Sequence, residues 1–179
     1  MRTLPLVTIL IAALTTAAGA DRRSFGDGSG YVSNGKFGLG IELGEPTGLN
    51  GKWFYNSNRA LDFGVGALYH NFYVDGDGFH IYLDHLWHPL QLVNNQDFKL
   101  PFYIGVGGRL WFFNYRCPGG CDSATLFGIR VPIGLDFDLN KVPLDIFGQI
   151  VPTFDFYRNY RGRDFYLDVD FSVGIRYWF

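Results

Sequence analysis

Apolar and polar residues alternate along most of this chain. Between residues 164 and 179, Phe165, Leu167, Val169, Phe171, Val173, Ile175, Tyr177 and Phe179 fall on one side; Asp164, Tyr166, Asp168, Asp170, Ser172, Gly174, Arg176 and Trp178 fall on the other. Successive side chains of a strand face opposite ways, so this run predicts a long strand with one greasy face and one charged face. Similar runs span residues 36–43, 49–55, 60–73, 79–88, 100–113, 124–139 and 144–157. Turn residues separate them: 44–48, 56–59, the Asp-Gly repeat at 75–78, a longer polar connection at 89–98, a cysteine loop, 140–143 and a basic loop at 158–163. Eight runs in a meander predict an all-β, eight-stranded antiparallel up-and-down barrel. Pro132 and Pro152 fall inside runs and lack a ladder donor, so each needs a bulge or a widely spaced pair.

Composition decides which face is outside. Lysine occurs only at Lys36, Lys52, Lys99 and Lys141, and glutamate only at Glu42 and Glu45, against 18 phenylalanines. A soluble β-protein needs far more long charged side chains on its surface. The polar face holds nearly all the strand glycines and charges of both signs: Glu42, Lys52, Asp84, Arg109, Arg130, Asp136, Asp168, Asp170 and Arg176. The interior of an eight-stranded barrel is just wide enough to be filled by side chains, and buried ions there must be paired. Opposite charges on neighbouring strands are the expected partners. The apolar face then meets lipid, making this a transmembrane barrel. The alternative is a soluble, lipocalin-like binding barrel with the grease inside. No apolar stretch beyond the leader approaches the ~20 residues of a membrane helix. Crossing a ~25 Å lipid band on a tilted strand takes roughly 11 residues, so the runs at 49–55 and 79–88 must recruit turn residues. Trp53, Tyr55, Tyr69, Trp87 and Tyr177 lie near run ends and suit an interfacial girdle; ordinary aromatic packing is the alternative.

The N-terminus reads as a signal peptide over residues 1–20, with Arg2, an apolar stretch from Leu4 to Ala18, and Ala18-Gly19-Ala20 at the cleavage point. An uncleaved anchor is the alternative. Residues 21–35 are rich in Gly, Ser, Asp and Arg and predict a flexible leader, leaving 36–179 as the barrel domain. Losing Arg2 moves the net charge from −2 to −3, which favours no polyanion, so nucleic acid is not an expected partner. Cys117 and Cys121 enclose Pro-Gly-Gly. In an oxidising compartment a disulfide staple is the default, with free thiols, metal or redox chemistry as alternatives. No metal site or cofactor is expected.

The final Gly174-Ile175-Arg176-Tyr177-Trp178-Phe179 resembles the C-terminal signal of small outer-membrane β-barrels of diderm bacteria, of the kind seen in the OmpA transmembrane domain and OmpX. Leu43-Gly44-Glu45-Pro46-Thr47-Gly48-Leu49, Leu83-Asp84-His85-Leu86-Trp87-His88 and Val131-Pro132-Ile133-Gly134-Leu135-Asp136 look like segments of an uncharacterised family of such barrels. The resemblance runs from Lys36 to Phe179. It implies an outer-membrane location, both termini in the periplasm, outward turns near Glu45, Asp75, Cys117 and Arg158, and a terminal Phe179 read by the assembly machinery. The outer loops are short for this class, which weakens a receptor or adhesin reading. Three functions fit such a barrel. The first is a structural or surface-interaction role, with Arg158, Arg161 and Arg163 as candidate contacts to lipid or lipopolysaccharide phosphates. The second is an outer-leaflet lipid-modifying enzyme, for which a nucleophile beside a base is needed. His80 and Asp84 share a face but lie ~13 Å apart along the strand, no serine is suitably placed, and no catalytic residue is assigned. The third is a pore, disfavoured by the filled interior.

Overall fold

The computed structural model describes residues 30–68, 78–114, 123–159 and 162–179. Outside them lie the expected signal peptide, residues 21–29 of the leader, Tyr69, His70, Asp75, Cys117, Cys121 and Arg161, and the side chains of Arg158 and Arg163 are likewise not described. Nine strand segments form: β1 (Phe37–Gly44), β2 (Thr47–Asn56), β3 (Arg59–Leu68), β4 (Gly78–Asn94), β5 (Phe98–Asn114), β6 (Ser123–Arg130), β7 (Ile133–Leu139), β8 (Leu144–Asn159) and β9 (Gly162–Trp178). All pairings are antiparallel, and β1 pairs with β9, for example Ile41 opposite Ile175, so the sheet closes into a ring. β6 and β7 are two halves of one staircase position, both lying between β5 and β8. The ring therefore has the eight positions that the alternation predicts.

The break between β6 and β7 sits at Val131-Pro132. Proline offers no N–H there, and its neighbours repair the ladder: Gly105 N–H donates to the Pro132 carbonyl at 2.8 Å and Val131 N–H to the Pro152 carbonyl at 2.9 Å. Pro152 itself stays within β8, opposite Val169. A second difference concerns residues 89–98, read from sequence as a polar connection. Most of them extend β4 and β5, leaving a tight turn at 95–97. Register shifts between Trp87 and Leu90 and between Gln91 and Val93 break the alternation there and hide the strand from a period-two reading. The fourth strand thus has 17 residues and needs no help from turns to span a bilayer.

The faces divide as the alternation predicts. Phe171 is 59% exposed and Asp170 beside it is fully buried; Leu39, Ile41, Leu43, Phe79, Val106, Phe127 and Ile146 likewise point outward. Glycine makes room inside. The interior aromatics Tyr82, Tyr103 and Phe147 each lie over a cross-strand glycine, Gly64, Gly134 and Gly174 respectively. A Cβ on any of these glycines would fall within 2.4–2.5 Å of atoms of its aromatic ring or hydroxyl, or closer. At the β1–β2 turn, Gly44 takes a φ of +122°, which favours glycine, and Thr47 Oγ1 donates to its carbonyl at 2.9 Å. Trp53, Tyr55, Tyr177 and Phe179 stand exposed at the end carrying residues 30–35 and the C-terminal Phe179, with Trp87 half-buried near them.

Candidate functional site

The distinctive chemistry of this chain lies in its lumen. The inward positions of the strands place nine carboxylates among the described residues there, against four cations: Lys52, Arg109, Arg130 and Arg176. Each of these side chains is at most 4% exposed.

At the end bearing residues 30–35 and Phe179 the lumen has an aromatic floor. Tyr31, Phe54, His88, Tyr103 and Trp178 are buried together. Tyr31 stacks on His88 at 5.4 Å and meets Phe54 edge-on at 5.8 Å. Its hydroxyl donates to Asp138 Oδ2 at 3.3 Å, the Asn34 backbone N–H to the same oxygen at 3.1 Å, and Trp178 Nε1 to Asp138 Oδ1 at 3.2 Å. Burial, then the Asp136 and Asp138 carboxylates, push the Tyr31 phenol up, keeping it neutral. Lys99 Nζ fastens the segment by donating to the Val32 carbonyl at 2.8 Å and Asn34 Oδ1 at 2.7 Å. Residues 30–35, read from sequence as part of a flexible leader, therefore cork the barrel. A lone tyrosine in a Gly/Ser-rich stretch gives no periodic signal for this.

Above the floor, Arg176 is the hub. It donates through Nε to Asp145 Oδ2 at 2.9 Å, through Nη1 to Asp62 Oδ1 at 2.9 Å and through Nη2 to Asp136 Oδ1 at 2.8 Å. Its guanidinium also lies 4.0 Å from the centre of the Phe147 ring. Lys52 Nζ contacts the other oxygen of Asp136 and sits 4.6 Å from the Tyr103 ring centre. His88 bridges Asp136 Oδ2 at 3.3 Å and the Asn58 carbonyl at 3.2 Å. Glu42 takes only neutral donors: Tyr82 Oη at 2.6 Å, Ser172 Oγ at 2.5 Å and Gln149 Nε2 at 3.1 Å.

Nearest the other mouth, Arg109 and Arg130 share Asp170 Oδ2 at 2.7 and 3.5 Å. Arg109 also forks onto Asp155 and reaches Asp168 at 3.3 Å, while Arg130 Nε donates to Asp84 Oδ2 at 3.1 Å. His80 lies fully buried beside them, and among the described residues neither ring nitrogen has a hydrogen-bond partner.

All nine charged residues picked out by alternation lie in this lumen. The expected pairing between neighbouring strands does not hold for most of them. Only Arg176–Asp145 joins adjacent strands; Lys52–Asp136, Arg176–Asp62, Arg176–Asp136, Arg130–Asp84, Arg130–Asp170 and the Arg109 pairs reach past at least one strand position. The cross-strand partners are in several cases like charges, as with Asp62 opposite Asp84 and Asp138 opposite Asp145. The bore is narrow enough for a long arginine to cross it, and that crossing offsets the repulsion. Asp62, Asp138, Asp145 and Asp155 share the inward parity of the nine, so their place was available to the same reading. Asn50, Tyr82, Gln149 and His88 are polar relays that gain a role only once the strands are in register.

A family model with the description "Protein of unknown function (DUF3996)" matches residues 30–179. The chain belongs to that family. Its match begins at the cork, one residue before Tyr31. No curated protein matches the sequence. Among solved structures, the N-terminal β-barrel domain of Pseudomonas aeruginosa OprF is similar at 13% identity and a TM-score of 0.55, covering 79% of this chain and 93% of that one. Ail, the attachment invasion locus protein of Yersinia pestis, is similar at 14% identity and a TM-score of 0.39, covering 79% of this chain and 95% of that one. The OprF likeness is one of fold: the chain shares the architecture of an eight-stranded antiparallel up-and-down β-barrel.

Proposed function

We propose that this chain is an integral protein of a bacterial outer membrane with a structural or surface-contact role, exported by a cleaved leader over residues 1–20 and carrying no open pore and no catalytic centre. Both termini and the aromatic cork face the periplasm. The β1–β2 turn at Glu45 and the connections around Asp75, Cys117 and Arg158 face outward. Phe179 is read by the assembly machinery, and Arg158, Arg161 and Arg163 meet outer-leaflet lipid or lipopolysaccharide phosphates. The observation that carries this reading is the inversion of the usual globular order, with a continuous belt of exposed Phe, Leu, Ile and Val around a lumen of buried, cross-linked charges. Soluble proteins rarely expose apolar patches beyond a few hundred Å², and lipid removes that cost.

The lumen argues for closure. The cork fills one end, and Arg176 and Arg109 tie opposing walls together at two depths. Planar-bilayer recordings of the purified protein are expected to stay silent, with discrete reproducible conductance overturning the closed-barrel reading. Cell fractionation is expected to place the mature chain in the outer-membrane pellet. An altered lipid A profile on deleting the protein would instead favour the lipid-modifying alternative.

A further inference from the structure

Of the described side chains on the outward face of the strands, Arg59 alone carries a fixed charge. It opens β3 directly after the Ser57–Asn58 turn, at the end of the barrel that bears residues 30–35 and Phe179, and is exposed. Among the described residues no carboxylate lies within ion-pair distance of it: every described carboxylate is in the lumen or on a turn. An arginine left unpaired beside hydrocarbon is costly near the middle of a bilayer and tolerable at its edge, where its long stem lets the guanidinium reach the headgroup layer.

Its neighbours make a site of the position. The ladder sets Arg59 opposite Trp87, and Trp87 opposite Ile104; one step deeper it sets Leu61 opposite His85, and His85 opposite Val106. Tyr55 Oη lies 2.5 Å from His85 Nε2. Arg59, His85, Trp87, Ile104, Gly105 and Val106 together line an open groove of about 360 Å³ on the outer wall. The groove carries its cation at the rim and the Tyr55–His85 hydrogen-bonding pair one ladder step deeper, and the rest of its lining is apolar. A phosphodiester carrying acyl chains has the same order of chemistry. Guanidinium is the side chain best matched to a phosphate, offering two parallel N–H donors.

We propose that this groove is a binding site for one phosphoglycerolipid of the periplasmic leaflet, its phosphate on Arg59 and the Tyr55–His85 pair, and an acyl chain laid over Trp87, Ile104 and Val106. This rests on the reading of the chain as a membrane barrel with its termini in the periplasm. The occupant is a lipid and not a soluble anion, because the cation stands at the head of an apolar trough and not over a polar cup.

The test uses purified protein folded in nanodiscs of mixed phosphatidylethanolamine and phosphatidylglycerol, released into mild detergent and weighed by native mass spectrometry. The unmodified chain is expected to retain one phospholipid. Arg59→Gln is expected to lower the retained fraction about tenfold, as befits loss of a charge-assisted hydrogen bond, and Arg59→Lys to keep part of it. Val106→Trp fills the trough at a position already 55% exposed and leaves the cation alone; it is expected to lower retention as well. Lys141→Gln, at the same end but on a turn and paired with Asp97, is expected to change nothing. Equal retention in all variants overturns the site. Loss in Arg59→Gln alone, or displacement by inorganic phosphate, overturns the lipid and leaves a bare anion contact. Migration of the unheated samples on a gel separates the two levels of failure. A compact band with no retained lipid ends the site only, whereas no compact band in the unmodified chain ends the membrane reading beneath it.

Discussion

Arg176 is the residue on which most of the lumen depends. It is the one cation that touches Asp62, Asp136 and Asp145 together. Deleting one partner of a buried ion pair leaves charge stranded, which typically costs about 3–5 kcal/mol. Arg176→Met is therefore expected to destabilise the folded barrel by about that amount in urea titrations carried out in vesicles. A loss below about 1 kcal/mol would place the three aspartates in some other balance. Glu45 makes a prediction in the opposite sense. It sits on the β1–β2 turn, where burial first, then the Asp170 and Asp168 carboxylates, push its carboxyl from 4.5 up to about 7, with Arg109 opposing. A group that binds its proton more tightly when folded stabilises the fold at low pH and loses that contribution as pH rises through its folded value. Stability is expected to fall between about pH 4.5 and 7 on this group's account, and Glu45→Gln to flatten that part of the curve. An unchanged slope in the variant would assign the pH dependence to other carboxyls.

Elements were legible in proportion to their regularity. β9 alternates without interruption, and its faces follow from its residues; the run read at 164–179 forms the strand Gly162–Trp178. Pro132 signalled a local fault, and the structure puts the β6–β7 break there. The lower half of β4 was misread because two register shifts destroy the alternation that a sequence reading relies on. Residues 30–35 were misread for a different reason: their order comes from a tertiary socket made by β2, β4, β7 and β9, and nothing local encodes it. Of the lumen, inward parity revealed which charges are inside but not which of them meet, since a cross-bore contact depends on the stagger of the whole ring. The cork is testable as an element. The Asn34 amide, bonded to Asp138, is expected to exchange slowly with deuterium, and Tyr31→Ala, which empties an aromatic socket, to cost about 3 kcal/mol and speed that exchange. Rapid exchange in the unmodified protein would show that the segment is not seated.

At the scale of the whole molecule, stability and location are one question. The belt is tolerable only against lipid, and the lumen charges are tolerable only because they neutralise one another across a narrow bore. Phe171 tests the first half of that statement, standing 59% exposed on the outer face of the 17-residue β9. A cation there would face acyl chains on the side of the β1–β2 turn, whose Glu45 N–H bonds the Phe171 carbonyl, at a cost below the roughly 2–4 kcal/mol of the bilayer midplane. The most direct measurement is gel migration of the purified chain, with and without heating, after folding into phosphatidylcholine vesicles, alongside Phe171→Arg. The membrane barrel predicts a compact, faster band before heating that slows after it, and a weakened compact band in the variant. A chain that stays in the aqueous phase with no heat-dependent shift, and that folds equally well with arginine at position 171, would contradict it.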